Sequence, residues 1–271
     1  MIRLIASDLD GTLLDDQKRI PPEFFPTVKE WSQKGVLFAA ASGRSYPKVE
    51  EEFRQGTDDM YFICDNGAAV WHRGELLYSR TIPDEEVKAL LQELTQCPDV
   101  LPILCGLNGA YHPPFPKGFE KHVCTYYSND QVVEDLFSVS DGILKIAVCD
   151  LKGPQNNSYA VLTKKFGDQY NFAVSGAVWM DIMVADVDKG KGLQMIQEKY
   201  GISREETLAF GDYYNDVELL QQAEFSYVME NANEDMKQYG KFIAPSNNDQ
   251  GVMKVILQYL KDCNLTENEN I

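Results

Sequence analysis

The sequence predicts an α/β fold, a doubly wound parallel sheet into which an α+β segment is inserted. Three observations predict it. Short β-rich apolar runs at 2–7, 36–41, 61–64 and 207–210 each stop at a cluster of acids, serine or glycine. Helical stretches separate them, and continuous apolar strands alternating with helices imply a parallel sheet covered on both faces. From about Pro83 to Val184 the texture changes to proline-rich connectors among short strands and helices.

The first run ends at Asp8-Leu9-Asp10-Gly11-Thr12, where acids and glycine stop a strand. A helix is predicted from about Pro22 to Lys34, with prolines near its start and Gly35 just past its end. The second strand, from Val36, stops at Ser42-Gly43-Arg44. The third stops at Asp65-Asn66-Gly67 and leads into a hairpin over 68–80 that turns at Arg73-Gly74. In the changed region, helices are predicted at 84–96, 130–138 and 154–167, and strands at 101–105, 143–149 and 178–184. Beyond it, Thr207-Leu208-Ala209-Phe210 runs into Gly211-Asp212, and Phe225 to Met229 forms one more strand. The tail from Asn264 to Ile271 is polar and expected to fray. The domains so drawn are 1–82 with 185–271 as the core, and 83–184 as the insertion. Open α/β sheets bind ligands at the carboxyl ends of their strands, so the polar clusters should converge there.

A chain of 271 residues, 44% hydrophobic, is long enough for one large or two medium domains. Its 42 acidic against 25 basic residues leave a formal charge of −17, a field that repels nucleic acid and anionic membrane surfaces. An anionic ligand would therefore need a site that inverts the potential locally, through a metal cation and a few placed Lys or Arg. The cysteines (Cys64, Cys97, Cys105, Cys124, Cys149, Cys263) form no CxxC pair, which predicts buried free thiols rather than a zinc knuckle or a disulfide framework. The N-terminus has no long apolar run and no stretch of about 18 apolar residues occurs, so the expectation is a cytoplasmic protein.

The strongest chemical signal is the pair Asp8 and Asp10. Carboxylates at i and i+2 point to opposite sides of a strand, but past its end the backbone can turn both toward one site. One can then stay ionised as a nucleophile and metal ligand while the other, in a different environment, holds a proton. A solvated acidic turn is the bland alternative; the preceding strand and the apolar Leu13-Leu14 weigh against it. Ser42 alone would read as a helix cap. Lys189 and Lys191 lie beside Asp186 and Asp188, so a solvated charge cluster rivals either lysine. Gly190-Lys191-Gly192 lacks the frame of a phosphate loop.

Asp8-Leu9-Asp10-Gly11-Thr12-Leu13-Leu14 resembles the first motif of the haloacid dehalogenase superfamily, and three further strings match that family in order. Ala41-Ser42-Gly43-Arg44 is similar to its second motif, in which the Ser or Thr hydroxyl binds the transferring phosphoryl group. Asp188-Lys189-Gly190 resembles the third; the family's catalytic lysine directly precedes a glycine, which selects Lys189 with Lys191 as the fallback. Gly211-Asp212-Tyr213-Tyr214-Asn215-Asp216 resembles the fourth, GDxxND, although a small residue commonly stands where Tyr213 does. Asn66-Gly67-Ala68, Met229-Glu230-Asn231-Ala232-Asn233 and Asn248-Asp249-Gln250-Gly251-Val252 point to the Cof-type branch, with its large (type IIB) cap at 83–184; Gln250 replaces a common acid.

The resemblance implies a Mg²⁺-dependent phosphatase of a small phosphorylated metabolite, such as a sugar phosphate. Asp8 would attack the phosphomonoester to form an aspartyl phosphate, while Asp10 protonates the leaving alcohol and then activates water. Ser42, Gly43, Lys189 and Asn215 would hold the phosphoryl oxygens. Asp8, the backbone carbonyl of Asp10, and Asp212 would hold Mg²⁺, with Asp216 further out. The cap would close over the site and set specificity, with Lys117, Lys121, His122, Lys145 and Trp179 as candidates to face the cleft; His112 and His122 read more often as ordinary surface or packed histidines, and Trp179 as core. An acid at position 10 argues against dehalogenase and phosphonate-hydrolase members. A sugar phosphomutase and a non-catalytic metabolite-binding regulatory protein are the alternatives.

Overall fold

A computed structural model describes residues 1–123, 130–174 and 177–268. The chain divides into two compact units, Met1–Tyr78 with Asp188–Ile271, and Ser79–Val187.

The first unit begins with β1 (Leu4–Asp8), α1 (Phe24–Ser32), β2 (Leu37–Ala41), α2 (Tyr46–Glu52), β3 (Met60–Cys64), β4 (Ala69–His72) and β5 (Glu75–Ser79). β1 and β3 are buried along their whole length, as strands covered on both faces must be. Helix α1 buries Phe24, Val28 and Trp31, and Gly35, at φ +86°, reverses the chain toward β2. The β4–β5 hairpin turns at Arg73 and Gly74, both at positive φ, the backbone that a tight two-residue hairpin requires.

The second unit contains α3 (Asp84–Leu94), β6 (Val100–Cys105), β7 (Ala110–His112), α4 (Glu120–Val123), β8 (Asp130–Val132), β9 (Lys145–Asp150), α5 (Ser158–Phe166), β10 (Tyr170–Val174) and β11 (Trp179–Val184). Its six-stranded sheet has the order β10-β11-β9-β6-β7-β8 and is antiparallel except between β7 and β8. Alternation sorts its residues: Leu104, Ile146, Val148 and Ile182 join Leu90 and Leu94 of α3 and Leu162 of α5 in one cluster. Leu101, Ile103, Cys105, Ala147 and Cys149 form a second with Phe119 and Val123. The helix predicted at 130–138 is not formed. Residues 130–132 pair with β7, and only a single turn at Leu136–Ser138 follows, capped by Asp135 through its bond from the Phe137 amide at 2.9 Å. With Leu136 its only buried side chain, that stretch has no apolar stripe to hold a helix against a core.

The chain returns to the first unit through α6 (Lys189–Tyr200), β12 (Thr207–Gly211), α7 (Val217–Gln221), β13 (Phe225–Met229), β14 (Phe242–Ala244) and α8 (Gly251–Asn268). The eight-stranded sheet has the order β14-β13-β12-β1-β2-β3-β4-β5, parallel from β14 to β3. β1 therefore lies between β2 and β12, reached from opposite directions along the chain, which makes its carboxyl end the switch point. Helix α8 runs through Asn268, into the tail expected to fray, because no proline or glycine interrupts residues 252–268; residues 269–271 lie outside the described ones. Cys64, Cys97, Cys105 and Cys149 are buried; Cys124 and the Cys263 side chain lie outside the described residues. Among the described residues no helix is long and apolar enough to cross a membrane.

Candidate active site

The carboxyl ends of β1, β2 and β12 and the start of α6 deliver the site. Asp8 is the last residue of β1, paired in register with Ala41, so Ser42 follows directly beside it. Lys189 opens α6, whose N-cap Asp188 accepts a bond from the Lys191 amide at 2.8 Å. That cap turns the Lys189 side chain inward. Its ammonium, on a residue only 1% exposed, donates to Asp8 Oδ1 and to Asp216 Oδ1, each at 2.6 Å. Lys191 instead meets Gln194 on the exposed side of the helix, at 3.1 Å. Of the two lysines, Lys189 alone touches the acids.

Asp212 and Asp216 follow β12, and the turn Tyr214–Asp216 brings the second carboxylate back under the first. Asp216 Oδ2 accepts the Asp212 and Tyr213 amides at 3.0 and 3.1 Å, so both its oxygens are taken by protein donors. Asp212 Oδ1 accepts from the Thr12 hydroxyl at 2.8 Å. Gly11, at φ +84°, passes so close that a Cβ there would lie 2.4 Å from Asp212 Oδ2. One oxygen each of Asp8, Asp212 and Asp216 falls within a 4.8 Å cluster. Hard carboxylate oxygens at the end of a sheet fit Mg²⁺; Asp8 and Asp212 each take one protein bond on the carboxylate, whereas Asp216 is saturated.

Three carboxylates around one ammonium leave an excess of negative charge. Burial pushes the Asp8 carboxyl well above its ordinary value and the nearby Asp216 pushes it further, with Lys189 opposing. Burial, then Asp216, raises Asp212 to about 6. A cation placed among them would reverse both shifts.

Asp10 stands apart from the cluster. Its Oδ1 accepts from Lys18 and from Arg44, each at 2.5 Å, and Arg44 also pairs with Glu52. Burial pushes the Asp10 carboxyl up, but the Lys18 bond and the charges of Arg44 and Lys18 outweigh it and hold the group below its ordinary range. So held, Asp10 is an ionised base; to donate a proton it must leave these cations. Ser42 is buried, and its Oγ accepts the Arg44 amide at 3.2 Å. Gly43 lies against Asn66, whose Oδ1 accepts from the half-buried Asn215 amide at 3.1 Å.

Several residues here were not singled out by chemistry in the sequence. Thr12, Arg44 and Asn66 reach the site through contacts between distant segments, and Lys18 through the fold of the loop after Asp10. Asn231, present only as part of a longer string, and Asn247, in none of them, hold the loop after Asp8: Asn231 donates to the Gly11 carbonyl at 2.8 Å and Asn247 to the Leu14 carbonyl at 3.0 Å. In the second unit, Lys145 is buried against Asp181 at 3.0 Å, and Trp179 packs on the cluster around Leu101 and Ile103. His112 is a packed histidine, bonded to the Pro113 carbonyl and Asp130 and stacked on Phe115.

Comparison with known proteins matches residues 5–256 to the family described as haloacid dehalogenase-like hydrolase. A 5-amino-6-(5-phospho-D-ribitylamino)uracil phosphatase of Escherichia coli is 31% identical over 264 residues, covering 96% of this chain and 97% of its own. A Bacillus subtilis protein of the same name is 23% identical, covering 96% of each. The crystal structure of a haloacid dehalogenase-like hydrolase from Bacteroides thetaiotaomicron superposes with a TM-score of 0.84 over 96% of this chain and 100% of its own; at 22% identity it shows the shared fold.

Proposed function

This chain belongs to the haloacid dehalogenase-like hydrolase family, and on that premise we propose that Asp8 is the nucleophile of a Mg²⁺-dependent phosphatase working through an aspartyl phosphate. Phosphatase action on a phosphorylated small molecule follows from the family and its phosphatase relatives. One observation carries the Asp8 assignment: at the carboxyl end of the central strand two acids share a single buried lysine, and a third acid lies within 4.8 Å of both.

An Asp8 oxygen attacks phosphorus, the P–O bond to the leaving alcohol breaks, and Asp10 supplies the proton that alkoxide takes. Water then attacks the aspartyl phosphate, giving its proton to Asp10 and releasing phosphate. Lys189 offsets charge on Asp8 and the phosphoryl group, while Ser42, the Gly43 turn and Asn215 hold the remaining oxygens. Mg²⁺, held by Asp8, the Asp10 carbonyl and Asp212, would supply positive charge to the transferring group. For Asp10 to act first as an acid, its bonds to Lys18 and Arg44 must open, so the cycle includes a movement of that side chain.

For the substrate, we take the names of the Escherichia coli and Bacillus subtilis relatives as the lead: a phosphorylated sugar alcohol carried on a heterocycle. The test is phosphate release from a panel of phosphorylated metabolites, that ribitylamino-uracil phosphate included, with Mg²⁺ or with chelator. Turnover that needs Mg²⁺ and vanishes in Asp8→Asn supports the assignment. Undiminished turnover by Asp8→Asn, or turnover unaffected by chelation, removes it.

A further inference from the structure

Directly after β3, Asp65, Asn66 and Gly67 stand in succession at φ +49°, +54° and +99°. Two of the three carry a Cβ, for which this backbone is costly, and all three are buried. A strained segment persists only where its surroundings over-determine it, and here the surroundings are the site. The Asp65 amide donates to the Arg44 carbonyl and the Asn66 amide to the Ser42 carbonyl, each at 3.0 Å. On the other side, a Cβ on Gly67 would lie 1.9 Å from the Asp188 carbonyl oxygen, so the turn packs directly on the residue that caps Lys189. The Asn66 side chain faces the remaining loop: its Oδ1 accepts from Asn215 Nδ2 at 3.1 Å and lies 3.1 Å from where a Gly43 Cβ would be. One triplet thus braces the Ser42 turn, the start of α6 and the Asn215 turn, while contributing no group to the acid cluster.

We propose that Asn66 is a positioning residue of the phosphate pocket, its side-chain oxygen fixing the Asn215 amide and the Ser42–Gly43 turn at the separation a phosphoryl group requires. The inference rests on the phosphatase reading above. Asparagine also tolerates the left-handed conformation, so its presence has a purely conformational explanation. Glycine separates the two: it adopts that backbone at no cost and has no side chain to hold Asn215.

The experiment compares wild type, Asn66→Gly, Asn215→Ala and the double variant. It measures kcat and KM for p-nitrophenyl phosphate with Mg²⁺, inhibition by inorganic phosphate, and Tm. The expected result is that Asn66→Gly keeps its Tm yet loses roughly tenfold or more in both kcat/KM and phosphate affinity, the scale of losing the bond that a fixed Asn215 amide would make to a charged phosphoryl oxygen. The double variant is then no worse than Asn215→Ala alone. Wild-type phosphate affinity in Asn66→Gly, or losses that multiply in the double variant, would overturn the proposal. Full activity in Asp8→Asn removes the nucleophile and leaves this result standing, because the coupling is also read in phosphate affinity.

Discussion

In the first unit two carboxylates, Asp8 and Asp216, share one buried ammonium, Lys189, and a third, Asp212, lies within 4.8 Å of both. In the second, Lys145 is buried against the carboxylate of Asp181. Asp150, fully buried, accepts from the Lys152 and Ser158 amides, the Ser158 hydroxyl and the Asn157 side chain, between 2.6 and 3.1 Å. Buried charge costs free energy unless it is matched. The second unit matches each of these charges with a partner or a set of donors, as a structural arrangement must. The first unit leaves an excess of acid, which distinguishes it from a stabilising ion pair and is what the proposed Mg²⁺ would neutralise.

The widest separation between the two should come from removing each lysine. Lys189→Met is predicted to lower kcat/KM by about a thousandfold or more, and its stability should depend on Mg²⁺, since only a cation can then offset the three acids. Lys145→Met should lose about 3–5 kcal/mol whether or not Mg²⁺ is present, and most of that should return in Lys145→Met with Asp181→Leu, because an apolar pair replaces an ionic one. Chemical unfolding of the four proteins, with and without Mg²⁺, measures both. Equal Mg²⁺ dependence in the two single variants would erase the distinction.

A smaller effect sharpens the second unit. Burial pushes the Asp150 carboxyl up, but its bonds from Ser158, Asn157 and Lys152 prevail and hold it below the ordinary value of 3.8. Its stabilisation is therefore present in full above that value and is lost as pH falls through the lower folded one. Asp150→Asn should cost about 1–3 kcal/mol at neutral pH, and the gap to wild type should close below about pH 4, as followed by circular dichroism.

The smallest predicted effect concerns the first unit. Mg²⁺ at about 100 times its Kd should raise Tm by several degrees at pH 7.5. The rise should shrink at pH 5, where a proton competes for Asp212, raised to about 6 by burial and Asp216. A Tm shift independent of pH would separate the cation from these acids.

The first unit was the more legible in sequence for a physical reason. Parallel strands buried on both faces appear as continuous apolar runs, and each run stops where its polar loop begins, so Asp8, Ser42 and Asp212 are marked by position as well as by type. The second unit offered weaker marks. Its β7 and β8 are three residues long, β8 is wholly exposed, and the acids and valines of 130–138 predict a helix where an edge strand and a single turn form. The sequence carries no mark of what Lys18, Arg44 and Asn66 do, because those roles rest on contacts made in the fold or on a backbone conformation. No spacing rule encodes Arg44 meeting Asp10 across 34 positions.

As the proposed nucleophile, Asp8 becomes phosphorylated during turnover. Acid quenching of the enzyme during turnover with Mg²⁺, followed by peptide mass spectrometry, tests it directly. A phosphoryl adduct on the peptide bearing Asp8, localised to that residue and absent in Asp8→Asn, is the predicted result. An adduct on another residue, or an active enzyme in which Asp8 stays unmodified at every quench time, would contradict it.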